Sequence, residues 1–126
     1  MPDLIASLSQ STAAMEAQSR RLRHLSENVA NADTPGYRRK TVDFFQDTLR
    51  SEVRLGPVRL DQTPLPRIHA PSHPMADETG HYEGSNVNML IELADAREAQ
   101  RSYEANLRMF DQARQMTQGL IELLRR

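Results

Sequence analysis

Residues 28–40 read NVANADTPGYRRK, and this stretch divides the chain into two patterns. Before it the apolar residues recur at helical spacing; after it the pattern is irregular and rich in proline. Asn31, Ala32 and Asp33 form a poor continuation of a helix, because Asn and Asp side chains compete for nearby backbone groups. Thr34 precedes Pro35 and is pushed toward extended φ/ψ. Pro35 and Gly36 suit positions i+1 and i+2 of a type II turn, where Pro presets φ and Gly supplies φ > 0. Tyr37 follows as an amphipathic anchor, and Arg38, Arg39 and Lys40 make a short basic cluster.

Working outward, residues 3–31 predict one helix. Leu8, Met15, Leu22 and Val29 are spaced by seven, and Leu4, Ser11, Gln18 and Leu25 form a second row of the same heptad. Ser11 and Gln18 interrupt that row with polar groups, which lowers stability and restricts register. Residues 87–125 carry the strongest helical pattern, with Asn86 or Asn88 available as a cap. Met89, Ala96, Tyr103, Phe110, Thr117 and Leu124 repeat every seven residues. Leu93, Gln100, Leu107, Arg114 and Ile121 supply the alternate row, with Ala99, Ala113 and Leu120 beside it.

The middle differs. Prolines at 64, 66, 71 and 74 make residues 62–74 extended. Short alternating runs at 41–44 and 53–55, and His81-Tyr82-Glu83 bracketed by Gly80 and Gly84 as a candidate short strand or turn, predict at most a small β-hairpin. The fold class expected is therefore mainly α. Long N- and C-terminal helices pair as an axial α-hairpin or coiled coil around an irregular Pro-rich middle. One structural module is divided into an N-terminal helix (1–33), a turn and insert (34–86) and a C-terminal helix (87–126).

Composition narrows function. The chain of 126 residues has 16 Lys+Arg against 17 Asp+Glu, no cysteine and no tryptophan. Balanced charge points away from nucleic acid and anionic membrane, which need a basic excess. The absence of cysteine excludes disulfides and thiolate metal sites. The N-terminus lacks a basic n-region followed by an apolar h-region, so no cleavable signal of the ordinary kind is expected. Nor does any run reach the ~18 apolar residues of a membrane span.

No catalytic set is found: the carboxylates are dispersed and no serine lies in a nucleophile elbow. No cofactor is expected. His69 and His73 are four apart, but Pro71 and Pro74 forbid the helix that would make them a metal face, so they read as solvated loop residues. His24, among Arg20, Arg21 and Arg23, reads as a solvent-face residue. The helices carry too many apolar positions for one partner face and too few for a monomeric core, which implies oligomerisation.

Ala30, Asn31, Thr34, Pro35, Gly36 and Tyr37 match the A-N-x-x-T-P-G-Y signature of bacterial flagellar rod and hook proteins, and the chain resembles that family. Ala17-Gln18 and Arg21-Leu22 resemble its first helix. Pro74 to Tyr82, Asn86 to Asn88 and Arg101 to Asn106 resemble a proximal-rod branch. The compact TPGY, and His81 between Gly80 and Tyr82, keep a sister proximal-rod branch open. A cytosolic helical-hairpin adaptor or chaperone is the alternative outside the family.

The resemblance implies a non-enzymatic structural subunit of the basal-body rod. It would transmit torque across the periplasm, form part of the export channel and pass through the flagellar type III apparatus without signal cleavage. Implied partners are further copies, other rod proteins and the ring-rod adaptor. Expected packing positions are Leu8, Met15, Gln18, Leu22, Val29, Met89, Leu93, Tyr103, Asn106, Leu107, Phe110 and Ile121. Tyr37 and the basic triplet are expected as inter-subunit contacts.

Overall fold

A computed structural model describes residues 2–125. Helix α1 spans Pro2–Ala30 and helix α2 spans Met89–Arg125. At 1.5 Å per residue they are about 43 and 55 Å long. Between them lie β1 (Lys40–Thr41), β2 (Phe44–Asp47), β3 (Glu52–Leu55), β4 (Arg59–Leu60), β5 (Arg67–His69) and β6 (His81–Glu83). The chain is mainly α.

The middle departs from expectation. It holds three two-stranded antiparallel pairings, where at most one small hairpin was expected. The β1–β4 and β2–β3 pairings are successive rungs of one ribbon over residues 40–60. Lys40 faces Leu60, and Phe44 faces Leu55. Between the rungs two residues, 42–43, oppose three, 56–58, so the register slips by one; Gly56 N–H donates to the Asp43 carbonyl at 2.8 Å there. Such a bulge bends a ribbon and hides its continuity from a period-2 search. The second ribbon, β5–β6, is closed by residues 70–80. Its strands are only three residues long: β6 is the candidate strand expected at 81–83, and β5 lies within the stretch expected to be extended, but a pairing this short is not legible in sequence.

The helices pack antiparallel, with Asn28 meeting Glu92 and Arg21 lying within 3.8 Å of Asp95 and 3.7 Å of Glu98. On α2 the buried face runs through Glu92, Ala96, Ala99, Tyr103, Asn106, Phe110, Ala113 and Thr117 in a regular three–four alternation, with Asp95, Ser102 and Asp111 half-buried beside it. On α1 the most buried row is Leu4, Ser11, Gln18 and Leu25. Leu8, Met15, Leu22 and Val29 lie half-buried at its flank.

This corrects the expected α2 face. Leu93, Leu107 and Ile121 are exposed, as are Met89 and Gln100. The true second row lies one residue earlier, at 92, 99, 106 and 113. Its alanines let the helix axes approach closely, and the bulkier leucines are displaced to the flanks. Ala99 is 0% exposed.

The ribbon 40–60 folds back along α1. Ser9 donates to Glu52 at 2.5 Å, and the Arg21 guanidinium sits 5.6 Å from the Phe44 ring centre. At its tip Ser51 holds φ +54°, with its N–H donating to the Asp47 carbonyl at 2.7 Å.

Candidate functional site

The residues that close the structure are gathered where α1 ends and α2 begins. Helix α1 stops because the chain turns: Thr34 N–H donates to the Asn31 carbonyl at 3.0 Å, and Tyr37 N–H to the Thr34 carbonyl at 3.2 Å. Gly36 has φ +75° at the third position of that turn, which is the reason for glycine there. Asn31 donates from its side chain to the Glu27 carbonyl at 2.8 Å and accepts from Thr34 Oγ1 at 3.1 Å. Gly36 N–H then reaches the carbonyls of Glu83 and Gly84, and Ser85 Oγ donates to the Ala32 carbonyl. The turn is thereby stitched to the segment leading into α2. Ala30 and Thr34 are exposed, and Pro35 is half-buried.

Asn28 is the centre of the junction. Its Oδ1 accepts from Tyr37 Oη at 2.9 Å and Lys40 N–H at 2.8 Å, while its Nδ2 donates to the Lys40 carbonyl at 3.0 Å and Glu92 Oε2 at 3.2 Å. All the hydrogen-bonding capacity of one amide is used, as a fully buried Asn requires. Glu92, the largest fully buried side chain, also receives Arg39 Nε at 2.6 Å. Arg39 extends the network, with Nη1 3.2 Å from Asp61 Oδ2 and its N–H donating to Asn86 Oδ1 at 2.7 Å. Asn86 and Arg38 both donate to the carbonyls of Asp61 and Thr63. Lys40 Nζ lies 2.6 Å from Glu27.

The electrostatics follow. Burial pulls the Arg39 guanidinium down, but the hydrogen bonds and charges of Glu92 and Asp61 outweigh it and leave its pKa raised. The Thr63 hydroxyl and N–H, then Arg39, hold Asp61 below the usual carboxylate range. Lys40 does the same for Glu27. Burial pushes the Tyr37 phenol up. Five segments (the end of α1, the turn, the root of the first ribbon, residues 61–63 and the start of α2) are thus tied through one polar cluster. Arg39 and Lys40 are compensated by Glu92, Asp61 and Glu27, and Arg38 is held by backbone carbonyls, so the arrangement is suited to holding geometry.

Three expectations change here. Tyr37 and the basic triplet are spent on contacts within the chain, because Glu92, Asp61 and Glu27 are at hand. His24 is half-buried, with Nδ1 enclosed and 3.9 Å from Glu27, because the root of the first ribbon crosses the last turns of α1. His73 is likewise half-buried, its ring stacked on Tyr82. Asn88, not Asn86, caps α2, accepting Leu90 N–H at 3.0 Å. Sequence reasoning missed Asn28, Asp61, Asn86 and Glu92 as partners. The available signal was an acidic residue at 92, on the row of small residues 99 and 113, with an uncompensated basic cluster elsewhere.

Of the other expected packing positions, Tyr103, Asn106 and Phe110 lie on the interface and are half-buried. Gln18 is half-buried there too, and its Oε1 has no hydrogen-bond partner among the described residues. No group of three or more metal-ligating side chains occurs among the described residues, and no described helix is long and apolar enough to cross a membrane.

Residues 9–38 match the family model described as "Flagella basal body rod protein", and residues 78–123 match "Flagellar basal body rod FlgEFG protein C-terminal". The first match contains Asn28 and Tyr37, the second Asn86 and Glu92, so the two matched segments meet at the junction. The chain is 43% identical over 122 residues to the flagellar basal-body rod protein FlgC of Agrobacterium fabrum, with 88% of each chain covered. It is 32% identical over 113 residues to FlgC of Salmonella typhimurium, covering 82% of this chain and 84% of the relative. With FlgC of Borreliella burgdorferi it shares 26% identity, covering 96% and 97%.

Proposed function

The chain belongs to the family of flagellar basal-body rod proteins, and from that premise we propose that it is a FlgC-type subunit of the proximal rod. Its role is structural: the likeness to FlgC-named proteins along nearly the whole chain favours this over the FlgB-type and cytosolic-adaptor alternatives. In this reading the paired helices lie along the rod axis and form coiled-coil-like contacts with other copies and sister rod proteins, while the ribbons form the outer part. The subunit leaves the cytosol through the flagellar export apparatus without signal cleavage and takes its place where the rod crosses the periplasm and meets the ring-rod adaptor. Torque then passes through the helix pair, and the helices line the export channel.

The observation that carries the reading is the pair of exposed apolar flanks on α2. Met89, Leu93 and Leu107 lie on one side of the buried face; Ile91, Met109, Met116 and Leu123 lie on the other. A helix this apolar on both flanks has been left room for neighbours. Because Leu93 and Leu107 are exposed in the single chain, Leu93→Asp and Leu107→Asp should leave the subunit folded and remove it from basal bodies. Circular dichroism of the purified variants, swimming assays and basal-body fractionation test this together. Normal motility with both variants present in the basal body would overturn the proposed packing.

A further inference from the structure

Three of the chain's four histidines sit in the second ribbon, away from the junction. His69 and His81 are direct cross-strand partners with ring centres 4.7 Å apart. His73, in the closing loop, stacks on Tyr82 at 4.0 Å with the rings 12° from parallel. Its Nδ1 accepts Met75 N–H at 3.1 Å. A backbone N–H can only donate, so His73 Nδ1 must carry a lone pair: the loop is built on the neutral, Nε2–H tautomer. The loop closes through Ala70 N–H to the Gly80 carbonyl at 2.9 Å and Ala76 N–H to the His73 carbonyl at 3.0 Å.

We propose that residues 67–83 form a pH-gated loop, closed while its histidines are neutral and released when they are protonated. Protonation of His73 replaces the acceptor of Met75 N–H with a second donor. Protonation of His69 and His81 places like charges on directly opposed residues, which destabilises a cross-strand pair. The remaining charged groups of the ribbon are Arg67, Asp77, Glu78 and Glu83. Arg67 faces Glu83 in register and lies 2.9 Å from Asp77. Asp77 also accepts Thr79 Oγ1 and the N–H groups of Thr79 and His81. The Thr79 hydroxyl, then His81 N–H, hold its carboxyl at about 2, so it stays ionised at neutral and mildly acid pH. Among the described residues, the element packed extensively on β5 is β6, and neither helix packs extensively on it.

The test is amide exchange followed by NMR between pH 7.5 and 5.0, with each histidine's titration read from its ring-proton shifts. Protection of Met75, Ala76 and Gly80 should fall about tenfold or more as the histidine ring-proton shifts move, while Ala99 and Ala113 stay protected. In His73→Asn the side-chain oxygen can accept the same i+2 amide, as in an Asx turn, without titrating. That variant should keep Met75 protected to a lower pH. Protection retained in the wild type after its histidines have titrated would overturn the proposal. So would simultaneous loss at Ala99 and Ala113, or a His73→Asn profile identical to the wild type.

Discussion

At the residue scale, the molecule depends on a few polar groups that cannot be replaced one at a time. Asn28 gives two hydrogen bonds and receives two, and it is 0% exposed. Asn28→Asp keeps the volume but removes the donor and sets a second carboxylate beside Glu92. Loss of about 2–4 kcal/mol of unfolding free energy is expected, read from urea midpoints with unchanged slope. Arg39→Met leaves Glu92 buried without its cation and should cost about 3 kcal/mol by the same measure. Adding Glu92→Leu to Arg39→Met should recover only part of that loss: it removes the unpaired buried carboxylate but leaves Asn28 Nδ2 without its acceptor. Acid stability has a separate source. The carboxyls of Asp77, Asp61 and Glu27 all have folded-state pKa values below their ordinary ones. Their contribution is therefore complete above the ordinary carboxylate range and is lost as pH falls through the lowered values, for Asp77 near about 2. Thermal melts between pH 5 and 2 should show melting temperature falling with acid, and Asp77→Asn should flatten the lowest part of that limb.

At the element scale, the close approach of the helices rests on alanine. Ala99 and Ala113 are buried where larger side chains would push the axes apart. Ala99→Leu should destabilise by about 1–3 kcal/mol through overpacking, despite its better hydrophobicity. The first ribbon carries a smaller strain. Ser51 is a non-glycine residue at φ +54°, so Ser51→Gly should stabilise by about 0.5–1 kcal/mol. A melting temperature unchanged by the glycine would show that the tip relaxes without cost.

At the scale of the whole molecule, α2 is longer than α1. With Asn28 beside Glu92, equal steps along both helices bring Pro2 beside about residue 118. Residues 119–125 therefore lie beyond the described span of α1, yet Leu120 and Leu124 continue the three–four spacing of the buried face. Leu124 is 79% exposed. In dilute solution this last stretch should exchange its amides far faster than residues 99–113, since isolated helical turns are marginal in water. Assembly should slow that exchange, which amide exchange on free and assembled subunit would reveal.

The sequence by itself determined the two long helices, the break between them and the Pro-Gly turn, because these depend on local propensity and on periodicity sustained over many turns. Likeness to the rod family was also legible, in the stretch 28–40 and in residues 74–106. Tertiary structure alone decided which row of α2 faces α1. Alanine rows and leucine rows differ by one residue, and only axis separation chooses between them. It alone decided the fate of Arg38 and Arg39, whose partners Asp61, Thr63 and Glu92 lie more than twenty residues away in sequence, and of Lys40, which turns back to Glu27 on the last turns of α1. It also turned two short runs into a bulged ribbon and brought His69 against His81. Pairings of two to four residues carry too little period to be read along a chain; they form because the polar junction holds the ribbon ends in place.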